Sequence, residues 1–205
     1  MKKVIMLASI LLVSLNLTGC GSSSSSSSDN TVKTESSAVK SSKEEKTITY
    51  DGYEKLAVSS EKNYNTNFSD TSWSPATIKV NKVTIYKLVK PYKIDSSSEG
   101  KYEAQGMIKI DYDITANQDC SLYPLQGTYS FNNGEQHEDV ESSNNWDGDF
   151  NKGSNKKGSV MIPVKQLNNV DNIKTIRVKF DGSYETNNSD DDNSFHTYDF
   201  TLNLQ

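Results

Sequence analysis

No apolar run in the chain reaches the roughly 20 residues that a membrane-spanning helix requires. The longest, Val4 to Leu17, is broken by Ser9, Ser14 and Asn16 and follows Lys2 and Lys3. A short apolar run behind two lysines reads as a secretory signal. Helical periodicity is missing too: beyond that run no stretch repeats its apolar residues every 3.6 positions, which argues against an α-rich fold. The net charge is −5 and no basic cluster stands out; Lys152, Lys156 and Lys157, the densest group, read as a solvated loop. Nucleic acid is therefore excluded as a partner, because its binding draws on phosphate neutralisation by Lys and Arg. His137 and His196 are the only histidines. They are too few for a zinc site of three or four spaced ligands. No serine or cysteine stands in a recognisable nucleophile motif, so no catalytic residue is assigned and the chain is read as a non-enzyme. Cysteine is scarce as well, with Cys20 and Cys120 alone.

What is present starts at the end of the apolar run. Leu17-Thr18-Gly19-Cys20 resembles the lipobox of bacterial lipoproteins. That resemblance implies diacylglycerol on the Cys20 thiol, the most nucleophilic side chain for a thioether, and cleavage between Gly19 and Cys20. Two acyl chains hold a protein on a membrane where one holds it marginally. The expected address is the extracellular face of the bacterial cell membrane, lipid-anchored, with no other cofactor. Removing residues 1–19 removes two lysines and no acid, so the net charge falls to −7. With Cys20 lipidated, Cys120 has no disulfide partner. It reads as a small buried hydrophobe, against a reactive or intermolecular thiol.

Gly21 to Lys46 is serine-rich, then mixed in charge, with no aromatic residue. Such a segment cannot bury enough surface to offset its ordering entropy and reads as a disordered tether. Residues 47–72 are assigned to the same linker, although "TITYDGYEKLAV" could form a short strand or a helix turn. The expected organisation is a signal peptide at 1–19, a lipid-anchored flexible linker at 20–72 and a folded domain at 73–205.

The folded part alternates. Ile108, Ile110, Tyr112 and Ile114 interleave with polar residues, as do Ile176, Val178 and Phe180, and Tyr198, Phe200, Leu202 and Leu204. Period 2 with one apolar face is the mark of a half-buried antiparallel strand. Val160, Ile162 and Val164 give another strand, whose Pro163 predicts an edge or a bulge. Thr128 to Phe131 is a short further one. In "TIKVNKVTIY" the phase slips near Asn81-Lys82, which predicts a bulge or a change of sheet there. Six or seven strands with short turns fit an immunoglobulin-like antiparallel β-sandwich.

The stretch from Trp73 to Leu204 resembles a Gram-positive lipoprotein family with an immunoglobulin-like domain of unknown function, fold-level kin of a small secreted mycobacterial antigen. Tyr123-Pro124, Gln126-Gly127-Thr128, Gly134-Glu135-Gln136 and Trp146-Asp147-Gly148 carry the likeness. It implies the fold and a surface address, and carries over no binding residues. The acidic run in "NNSDDDNS" departs from the pattern.

Three constellations could bind. Asp147, Asp149 and Asn151 occupy positions 1, 3 and 5 of an EF-type loop, but Lys152 and Gly158 stand where it needs glycine and a bidentate glutamate. Asp190, Asp191 and Asp192 are a weak metal candidate, against a solvated hairpin tip. Trp146 lies in a polar loop with no apolar period to join. With Asp147 it is the candidate ligand contact, against a place in the core. The leading functional reading is a non-catalytic binding or interaction domain that meets a surface protein or cell-wall ligand. The alternative is a small-molecule or metal-binding accessory lipoprotein of an uptake system.

Overall fold

In a computed structural model the structure describes residues 46–138, 140 and 145–205. Gly19 and Cys20 lie outside them. Among the described residues eleven strands follow in order: β1 (Thr47–Tyr50), β2 (Glu54–Asp70), β3 (Ala76–Ser96), β4 (Gly100–Ala116), β5 (Cys120–Leu122), β6 (Thr128–Phe131), β7 (Gln136–His137), β8 (Gly148–Phe150), β9 (Asn155–Val164), β10 (Thr175–Ser183) and β11 (Phe195–Asn203). One sheet has the order β1-β2-β3-β4-β9. The other runs β7-β6-β10-β5-β8, with β11 on the free side of β10. All pairings are antiparallel. This is the expected antiparallel β-sandwich.

The alternation places the core. On β4, Ile108, Ile110 and Ile114 are fully buried, and across β3 they oppose Ile85, Val83 and Ile78. The register shifts between Val80 and Lys82, at the predicted phase slip. That bulge returns Ile78 and Val80 to the face of Val83 and Ile85. β9 is an edge strand, as Pro163 requires. The main core fills the space between the sheets. A second cluster joins Tyr50, Leu56, Leu88, Ile94, Ala104 and Met107. Met107 immediately precedes the main core's Ile108 on β4, so it points to the opposite face of the sheet.

The linker assignment for residues 47–72 is corrected here. Residues 47–50 and 54–70 form β1 and β2, and β2 pairs with β3 from Val58↔Leu88 to Asp70↔Ile78. Two register shifts, between Val58 and Ser60 and between Asn65 and Phe68, break the period of 2, so the apolar residues are scattered. Asn67 adopts φ 46° inside the second. The turn between β1 and β2 holds Asp51-Gly52, both at positive φ, a pair favoured in tight turns.

Candidate functional site

Trp146 is not an exposed contact: it is 8% exposed and belongs to the main core. Its Nε1 donates to the Ser159 carbonyl at 3.1 Å, and its ring lies 5.6 Å from that of Tyr112. The sequence supplies a matching gap. Gly158 of β9 stands opposite Tyr112, and a Cβ there would come within 2.0 Å of the indole. Trp146 therefore packs inward and covers this part of β9. Asp147 follows it inward, where its Oδ2 accepts the Leu125 N–H at 3.2 Å. Partial burial raises its pKa.

The EF-like residues separate. Asp149 accepts the Ser121 hydroxyl at 2.7 Å, while Lys152 gives its N–H to Asp119. Asp190, Asp191 and Asp192 sit in the β10–β11 loop. There Asp191 accepts the Tyr184 hydroxyl at 2.8 Å and the Asn193 N–H at 3.1 Å. Among the described residues no group of three or more His, Cys, Asp or Glu could hold a metal ion.

Cys120 is buried and free. Burial, helped by Asp119, pushes its thiol from 9.0 up to about 11. The unfolded thiol ionises first, so the stability Cys120 contributes is whole below pH 9.0 and is lost as pH rises through about 11. A thiol reagent at about pH 8 is expected to label Cys120 no faster than the protein opens. Prompt labelling of the folded protein would show an accessible thiolate.

The two histidines have different surroundings. His196 lies parallel to Trp73, 5.8 Å between centroids and 6° between planes, and its Nε2 is 3.2 Å from the Ser72 hydroxyl. Among the described residues no carboxylate orients that ring, so the pair lacks the third member of a nucleophilic triad.

His137 stands at the centre of a charged cluster. Its Nδ1 is 2.9 Å from Glu99 and its Nε2 3.2 Å from Glu135. Glu99 also accepts from the Lys165 ammonium at 2.8 Å, which lies over the Tyr102 ring at 4.4 Å. Glu135 accepts main-chain N–H groups from Lys165 at 2.7 Å and Gln166 at 2.8 Å. Burial would raise the Glu135 pKa, but the bonds from His137 and from these two N–H groups hold it below the ordinary carboxylate range. Burial pushes the Tyr102 phenol up, and Glu99 and Glu135 add to that.

The cluster forms one wall of a cavity of about 300 Å³ between the β1–β2 turn, the β3–β4 tip and the segment after β7. Tyr50, Tyr92, Tyr102, Ile94 and Val140 line it, with Glu138 among its acids. Its lining mixes aromatic and aliphatic side chains with charged ones. Sequence reasoning missed this site. Glu99 lies in a serine-rich turn, and Glu135 entered only through the Gly134-Glu135-Gln136 likeness.

Fold and cavity define an antiparallel β-sandwich with a groove at one end of its longest hairpin. No protein-family model matches the chain, and no curated protein does. The solved structures similar to it include two proteins of unknown function. A hypothetical protein from Bacillus anthracis shares 14% identity, with a TM-score of 0.40, over 58% of this chain and 91% of that one. A functionally unknown protein from Listeria monocytogenes EGD-e shares 11%, with a TM-score of 0.46, over 70% of this chain and 86% of that one.

Proposed function

We infer that this is a lipid-anchored surface protein whose β-sandwich is a non-catalytic binding module. The carrying observation is the order of segments: an apolar run ending at Leu17-Thr18-Gly19-Cys20, a serine tract, then a β domain. The binding part is supported by the groove lined by Tyr50, Tyr92 and Tyr102, since tyrosine supplies large contact area at small entropic cost.

Two measurements test the reading. Cys20→Ala is expected to abolish incorporation of labelled fatty acid and release the chain from the membrane fraction. Label retained by that variant would overturn the anchor. Residues 46–205 are expected to be retained on isolated cell envelope, and Tyr92→Ala to weaken retention about tenfold or more. Tyr92 packs edge-on to Tyr50 at 5.7 Å, so its unfolding midpoint is compared alongside. Equal retention by both forms would place the contact outside the groove.

A further inference from the structure

His137 is 1% exposed, and each ring nitrogen faces a carboxylate. A neutral imidazole has one N–H and one bare lone pair. It can donate to one glutamate and must turn its lone pair on the other. The imidazolium alone serves both. The charges around the ring agree. Glu99 faces it from the β3–β4 turn, Glu135 from its own hairpin, and Lys165 at the end of β9 pairs with Glu99. Tyr102 of β4 contributes an uncharged phenol, its centroid 6.2 Å from the imidazole's, and Glu138 stands on the groove wall. With the second proton on the ring, two carboxylates meet two cations. Without it, one negative charge is left over where solvation is poor.

The two glutamates are unequally held. Glu135 keeps the N–H groups of Lys165 and Gln166 and the Asn133 side chain whatever the ring does. Besides His137, the Glu99 carboxylate has Lys165, whose side chain is 37% exposed. The contact between Glu99 and His137 is the shorter of the two, 2.9 Å against 3.2 Å, but Glu99 is the carboxylate with fewer other groups to hold it in place when the ring changes charge. That contact is also the one that fastens the β3–β4 tip to the second sheet.

We propose that Glu99 and His137 form a proton-operated latch. It is closed while the ring carries its second proton and opens as pH rises, freeing the β3–β4 tip and widening the groove. The sign follows from proton counting: the closed form binds one more proton than the open form, so acid favours closure and base removes it. The latch makes no use of the lipid anchor and stands or falls apart from it.

Amide hydrogen exchange in the full chain tests it. After correction for intrinsic rates, protection at residues 97–103 is expected to fall roughly tenfold between about pH 5.5 and 8.5. Protection in β10 and β11 should stay level. In Glu99→Gln and His137→Gln the pH slope at the tip should vanish. PH-independent protection in the native chain would overturn the latch, as would an unchanged slope in Glu99→Gln. A parallel loss in β10 and β11 would do so too, by revealing global destabilisation. If His137→Gln fails to fold, Glu99→Gln alone decides, because its side chain sits in a turn.

Discussion

A fragment beginning at Trp73 is expected to lose cooperative folding, while one beginning at Lys46 keeps it. The cut removes β1 and β2 and with them four buried side chains, Tyr50, Leu56, Val58 and Tyr64. Each buried apolar side chain of this size contributes about 1.5–3 kcal/mol. Their loss alone approaches the roughly 5–15 kcal/mol that separates folded from unfolded states. The cut also strips the ladder from β3, leaving its outer main-chain groups unpaired, and exposes Phe200, against which Phe68 stacks at 4.2 Å. Near-ultraviolet circular dichroism and urea unfolding of the two fragments provide the check. A shared midpoint would make β2 dispensable and restore a domain boundary at Trp73.

Trp146→Ala is expected to destabilise the protein by about 3–5 kcal/mol, the range for a buried tryptophan. Gly158→Ala should also be costly, because its new methyl group would overlap the indole. The two substitutions should be strongly non-additive. Removing the indole first vacates the space the methyl needs, so the double variant should be more stable than the sum of the singles predicts. Urea unfolding of all four forms closes the cycle. A Trp146→Ala cost within about 0.5 kcal/mol, or strict additivity, would remove Trp146 from the core and return it to the list of ligand contacts.

Legibility in the sequence followed chemical redundancy. β4, β10 and β11 announce themselves because each repeats the same signal several times on one face. Even the bulge at Val80 to Lys82 was visible, as a break in an otherwise regular pattern. β2 was missed because two bulges leave too few regular steps between them. Trp146 was misplaced because its partner is a glycine, and a gap twelve residues away leaves no mark on the local pattern. Leu167 and Val170 are buried although they stand in the polar stretch "QLNNVDN". The His137 cluster was out of reach because Glu99, Glu135 and Lys165 come from three separate turns and strand ends. The residues behind the family likeness have structural work here. Glu135 ties down the exit of β9. Trp146 covers part of β9. At Gly127 a Cβ would come within 2.8 Å of the Lys179 carbonyl.

The strand order has a consequence for how the chain acquires its fold. β1 to β4 pair with their nearest neighbours in sequence, and β3 and β4 are joined by three residues. A meander of this kind closes its loops at small entropic cost and forms early. β9 is different: Asn155 pairs with Thr115 only after β5 to β8 have been laid down elsewhere. As the chain emerges from its N-terminus, β4 therefore waits with an unpaired edge and with Ile108, Ile110 and Ile114 uncovered. The interval between the appearance of Ala116 and that of Val164 is when a nascent chain is most open to edge-to-edge association with another copy. A holding chaperone would contribute most in that interval, and slowing synthesis within residues 117–164 should lower the yield of soluble protein more than slowing it after Val164.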